Sequence, residues 1–151
     1  TGQFLTPLWT GPDPVGTVFT TTRTPALVTI RPNHLRDANL SNPTPQRWFD
    51  VSAFGPPASG SYGSSAKGVI KGPPTNVLNL SFGKVFSIRE RARLRFQIDA
   101  SNAFNHPNYF NPGTNISQAA AAAVITSTAN ASFNLDNAGE RRVILHLRVE
   151  W

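Results

Sequence analysis

The stretch Arg141–Trp151 constrains this chain more than any other. Val143, Leu145, Leu147, Val149 and Trp151 fall on one side of an extended backbone. Arg142, His146, Arg148 and Glu150 fall on the other, with Ile144 the one apolar residue among them. Period two belongs to a strand whose faces meet different surroundings. Two settings suit it: a soluble sheet with one wet side, or a membrane barrel with lipid outside and water inside.

Two further segments share the pattern. In residues 76–86, Leu78, Leu80, Phe82 and Phe86 line one face, and Asn79, Ser81 and Gly83 the other. In residues 91–104, Ala92, Leu94, Phe96, Ile98 and Ala100 alternate with Arg91, Arg93, Arg95, Gln97, Asp99 and Ser101. Ser87-Ile88-Arg89-Glu90 reads as a short polar connection, so the two segments form an antiparallel hairpin. Each is long enough to cross a bilayer as a tilted strand. Ser117–Ala131 carries five consecutive alanines, then a β-prone Val124–Thr128. One helical turn followed by a short strand is expected there, then a loop over 134–139.

The first half reads differently. Residues 1–74 hold eleven of the thirteen prolines, which break helices and interior strands. Short extended pieces are expected at Gly16–Thr22 and Ala26–Ile30. Turn signals lie at Gly11-Pro12-Asp13-Pro14, Asn42-Pro43-Thr44-Pro45, Gly55-Pro56-Pro57 and Gly72-Pro73-Pro74. Trp48, Phe49, Phe54 and Tyr62 act as aromatic anchors of this long loop. The fold expected is all-β. Residues 1–74 form a Pro/Gly-rich irregular segment. Residues 75–151 form an antiparallel β segment, incomplete as a barrel on its own.

Chemistry finds little support. No paired carboxylates, nucleophile elbow or His-x-x-x-His spacing occurs, and His34, His106 and His146 are scattered. No catalytic residue, metal ligand or cofactor is expected. With no Cys there is no disulfide. The net charge of +6 is carried most densely by Arg89, Arg91, Arg93 and Arg95. No aromatics interleave on that face, which argues against nucleic acid. The bland reading, a wet strand face paired with Asp99 or Glu150, is preferred over an anion channel. A chain that starts at Thr1 and lacks Met reads as a piece of a longer precursor.

Several motifs together resemble a family. Trp48-Phe49-Asp50 with Ala53-Phe54, then Gly60–Gly63 and Ile70-Lys71-Gly72-Pro73, is similar to the late extracellular region of Oar-like TonB-dependent receptors. Leu78–Phe86 resembles their penultimate hairpin, followed by a turn at Glu90. Phe96-Gln97-Ile98-Asp99-Ala100-Ser101-Asn102-Ala103-Phe104-Asn105-His106-Pro107 resembles their most specific C-terminal signature. Trp151 looks like the terminal aromatic signal read by the barrel-assembly machinery. The resemblance implies a bacterial outer-membrane parent with a plugged barrel of about two dozen strands. At most six to eight strands can be drawn here, so the chain corresponds to the tail of such a receptor.

Three functions follow. The first is a non-enzymatic structural protein, a shed tail that adds strands to copies of itself in an extracellular filament. The second is the closing strands of an intact outer-membrane transporter that takes up a ligand. The third is a soluble β-sandwich that binds glycan through Trp48, Phe54 and Tyr62. An isolated tail with open edges and an apolar stripe must find a partner, which favours the first.

Overall fold

The computed structural model describes residues 2–89, 92–128 and 139–151; of Arg89 it describes only the backbone. The described residues are all-β, with one 3-10 turn, and their strands pair antiparallel. They fall into two compact units. The first joins residues 1–74 to 109–127, and the second joins 75–108 to 128–151.

The first unit is built from strand pairs too short to show a period. β1 (Phe4–Leu5) pairs with β8 (Ile70–Lys71), and β2 (Trp9–Pro12) with β3 (Leu27–Ile30). β4 (Asn33–His34) pairs with β7 (Phe54–Gly55), and β5 (Asn39–Thr44) with β6 (Arg47–Phe49). The expected turn at Asn42–Pro45 is largely strand, because β5 runs on to Thr44. Its register against β6 is irregular between Asn39 and Thr44, which accommodates the missing N–H of Pro43.

The extended piece expected over Gly16–Thr22 does not form. The Asp13 carboxylate accepts the N–H groups of Val15 (3.0 Å), Thr17 (2.7 Å) and Val18 (2.8 Å), and curls the backbone into a loop. Ala26–Ile30 does supply a strand, β3. The alanine run makes a single turn, Ala122 N–H donating to Gln118 O at 2.9 Å. The short strand expected over Val124–Thr128 is absent. Its backbone bonds singly to other segments instead, as in Ile125 N–H to Pro45 O at 2.7 Å.

Every buried hydrophobic side chain among the described residues lies in this first unit. Phe49, Ala53 and Ile70 are fully buried, with Leu5, Ala38, Phe54 and Ala123 beside them. Asp50 caps the 3-10 turn Val51–Ala53 that leads Phe49 into Phe54. The two rings meet edge to face, 6.2 Å between centroids.

The second unit is one sheet in the order β11-β10-β9, from β9 (Leu80–Arg89), β10 (Ala92–Ser101) and β11 (Arg142–Glu150). The connection expected at Ser87–Arg89 is strand, so β9 runs three residues further than the alternation of 76–86 indicated. A register shift between Ala92 and Arg93 absorbs the change near the hairpin. Leu78 precedes β9, and its carbonyl accepts the Ala103 N–H at 2.8 Å. Arg91, the turn at Glu90 and residues 129–138 lie outside the described residues.

Candidate functional site

The three long strands make a sheet with two unlike faces, and register fixes which residues share each row. Pairs directly opposite in an antiparallel ladder lie on one face. One face carries the rows Leu80–Ala100–Val143, Phe82–Ile98–Leu145, Lys84–Phe96–Leu147 and Phe86–Leu94–Val149. Leu80, Phe82, Phe86, Val143, Leu145, Leu147 and Val149 are all exposed, and Trp151 is 93% exposed. The stripe read from the sequence is therefore assembled across three strands, with Leu94, Phe96 and Ile98 of β10 half-buried and none of its residues fully buried.

Lys84 is the exception that alternation did not bring out. It sits at the β9 end of its row, beside Phe96, and its Nζ lies 5.2 Å from the Phe86 ring centroid. That cation–π contact and the flexible stem give the charge a partner on an otherwise greasy face. The periodicity of 76–86 was readable without it, because Phe82 and Phe86 flank it.

The opposite face carries Ser81–Asp99–Ile144, Gly83–Gln97–His146, Val85–Arg95–Arg148 and Ser87–Arg93–Glu150, with Arg142 opposite Ser101 beyond them. Asp99 is its hub. Ser81 Oγ donates to Oδ1 at 2.5 Å, and Gln97 Nε2 donates to both oxygens at 2.9 and 3.0 Å. His146 Nε2 lies 3.0 Å from Oδ2. One carboxylate thus gathers a donor from each strand and fixes their register. A Ser, an Asp and a His meet here, but the carboxylate sits in the middle. A nucleophilic triad needs the imidazole in the middle, to take the hydroxyl proton. The arrangement holds strands together and does not activate Ser81.

Arg148 Nε lies 3.3 Å from Glu150 Oε1. Arg95, Gln97, Asp99, His146 and Arg148 line a concavity of about 600 Å³ on this face. No group of three or more metal-ligating side chains occurs among the described residues.

The end of β10 shows why the Ser-Asn-Ala-Phe-Asn-His sequence is needed. Asn102 takes a positive φ of 47° and buries its side chain. Its Oδ1 accepts the His106 N–H at 3.1 Å, and its Nδ2 donates to His106 O at 3.0 Å and Gly139 O at 2.6 Å. A single amide ties the exit of β10 to the entry of β11. Asn is among the few residues that tolerate that backbone and also bond it.

The loop aromatics are not brought together as one platform. Phe49 and Phe54 are core, and Phe54 stacks on His34 at 5.2 Å. Trp48 packs against the core, donates Nε1–H to Lys71 O at 2.8 Å and tilts against Tyr109. Tyr62 is not an anchor at all: it is 64% exposed. Ile70, Ala53 and Ala123 carry the packing that the sequence reading missed, and strands of two or three residues give no periodic signal for them.

Two aspartates of the first unit are held ionised. The Asp13 carboxyl is lowered to about 2, first by the Val18 N–H and then by those of Val15 and Thr17. Asp50 is also lowered to about 2. The Ser52 hydroxyl contributes most, at 2.8 Å, and then Arg36, 2.7 Å away.

No helix is long and apolar enough to cross a membrane among the described residues, which leaves crossing by strands open. No curated protein and no solved structure matches the chain. The family model described as "Outer membrane beta barrel domain" matches residues 1–144. With two-faced strands of membrane-crossing length and a match over nearly the whole chain, the protein belongs to this bacterial outer-membrane β-barrel family.

Proposed function

We propose that β9, β10 and β11 are a section of barrel wall in a non-enzymatic outer-membrane receptor of the TonB-dependent kind, serving ligand uptake. One observation carries the reading. The apolar face is exposed along β9 and β11 and no better than half-buried along β10, while every buried hydrophobic side chain among the described residues lies in the other unit. A sheet without a core needs an apolar solvent, and lipid supplies one.

Dimensions agree. Ten residues at about 3.4 Å each, tilted by about 40°, span about 26 Å, close to the apolar band of roughly 25 Å on such barrels. The connections also have the right asymmetry. Leu80, Ser101 and Arg142 mark one end of the sheet, where long segments enter and leave; Arg89 and Ala92 meet in a tight hairpin at the other. Outer-membrane barrels keep short turns inside and long loops outside. The hairpin end is therefore periplasmic, and the long segments are extracellular. The Asp99–Asn102–His106 sequence, whose Asn102 ties strand ends together, supports the receptor resemblance.

Three strands do not close a barrel, so both outer edges need further strands. In a receptor they belong to the same wall. A second reading draws on the same open edges of β9 and β11: another copy supplies the neighbour, and repetition without closure gives a filament.

The test is to compare the chain in detergent micelles and in plain buffer, by amide exchange and by electron microscopy. Protected β9–β11 amides only in micelles support the wall. Regular filaments in buffer with equally protected amides support self-assembly. A soluble monomer with a protected sheet overturns both.

A further inference from the structure

A second concavity, of about 410 Å³, lies wholly within the first unit. Its size falls in the range of small-ligand pockets. Leu8 and Ile30 are its apolar lining, both half-buried. Arg31, Lys67 and Tyr62 also line it, and all three are exposed. No carboxylate lines it, and among the described residues neither Arg31 nor Lys67 has an ion-pair partner.

The walls are held by specific bonds. Ser65 N–H donates to Pro32 O at 3.0 Å, Ser64 N–H to Asn33 Oδ1 at 3.1 Å, and His34 N–H to Ser64 Oγ at 3.1 Å. These clamp residues 63–65 along 31–34. The approach is so close that a Cβ on Gly63 would lie 2.0 Å from the Arg31 carbonyl oxygen. Lys67 is set by a turn in which Gly68, at φ +68°, donates its N–H to Thr6 Oγ1 at 3.1 Å. Both cations therefore rise from backbone fixed in place, in a cleft that the largely exposed Tyr62 also lines.

We propose that this cleft binds a small organic anion, its phosphate or carboxylate between Arg31 and Lys67 and its ring or short apolar body against Tyr62 and the apolar lining of Leu8 and Ile30. The chemistry fits the parts. A guanidinium and an ammonium line one cleft without a carboxylate among its lining residues, and both form charge-assisted bonds to oxyanions. Tyr62 offers a flat face, and its exposure is hard to explain as packing. The site is independent of the membrane reading, since all of its residues belong to the unit with its own core.

The test uses the full chain in detergent micelles, titrated calorimetrically with phenyl phosphate, benzoate, inorganic phosphate and benzyl alcohol. Saturable binding of phenyl phosphate or benzoate is expected, with inorganic phosphate and benzyl alcohol each at least about tenfold weaker, the order of one charge-assisted bond or one buried ring. The stronger of the first two names the headgroup. Arg31→Gln and Lys67→Gln should each weaken binding about tenfold, and Tyr62→Ala about fivefold, while Lys84→Gln on the sheet leaves it unchanged. An unchanged indole N–H resonance of Trp48 shows that each variant is folded. Absence of saturable binding overturns the proposal. So does equal binding of benzyl alcohol, or an equal loss in Lys84→Gln.

Discussion

Arg95 and Arg148 stand directly opposite each other across β10 and β11, two guanidiniums in one row of the wet face. Glu150, the nearest carboxylate in sequence to Arg148, is bonded to Arg148 itself, and Asp99 is ringed by Ser81, Gln97 and His146. Like charges directly opposite destabilise a sheet. Arg95→Glu should therefore stabilise the three strands by about 0.5–1 kcal/mol in micelles. Added salt should stabilise the native protein and not the variant, because screening removes repulsion only where repulsion exists. Urea unfolding at low and high salt reads both; a less stable Arg95→Glu would show that another group already neutralises the pair.

The membrane reading makes Leu147 and Lys84 a matched test, since they share one row with Phe96 between them. Leu147→Arg should destabilise the sheet in a bilayer by about 2–4 kcal/mol, the cost of a cation near the midplane. Lys84→Leu should act in the opposite direction. Reversible unfolding in lipid vesicles measures both. If Leu147→Arg is tolerated, this face does not meet lipid.

The first unit should lose stability in acid over a defined window. Asp13 and Asp50 have carboxyls lowered from the ordinary 3.8 to about 2. A lowered value means that folding favours the ionised form. Their contribution is full above about pH 4 and is lost as the pH falls through about 2. Fluorescence melting that follows Trp9 and Trp48 should show a falling midpoint between those limits. Asp13→Asn and Asp50→Asn should each flatten the dependence.

Phe49 is fully buried and meets Phe54 edge to face. Phe49→Ala should cost the first unit about 3–5 kcal/mol. Amide exchange would show increased opening in residues 33–55. Unchanged protection there would mean that the ring is not the centre of this core.

β10 and β11 were legible because their alternation runs for ten and nine residues, with Ile144 the one exception. The same rule identified the hairpin but ended β9 too early, since Ser87 and Arg89 look like turn residues when local composition is the only guide. Pairing with Arg93 and Ala92 overrides that composition. In the first unit, β3 apart, the rule had little to read. Ile70 and Leu5 are neighbours through two-residue strands, and Ala123 joins them from a distant segment. The Asp13 loop was hidden for a different reason: one side chain captures three N–H groups, and a propensity argument for Gly16–Thr22 takes no account of a carboxylate outside that stretch. Of the wet face, Arg93, Arg95, Asp99 and His146 were identified, while Asp99 as the hub depends on a register that no single strand reveals.

The discontinuity of the first unit bears on how the protein is made. Residues 109–127 return to the unit begun by 1–74, and Asn111 Nδ2 donates to Gln3 Oε1 at 2.8 Å. Whatever lies between Gly72 and Asn111 is then a closed loop, and that loop contains the whole β9–β10 hairpin. Closing a loop of this length freely costs roughly 3 kcal/mol of chain entropy, a cost that folding of the first unit meets in advance. The hairpin would reach the bilayer with its ends already gathered, so the slow search for strand partners begins from a tethered pair.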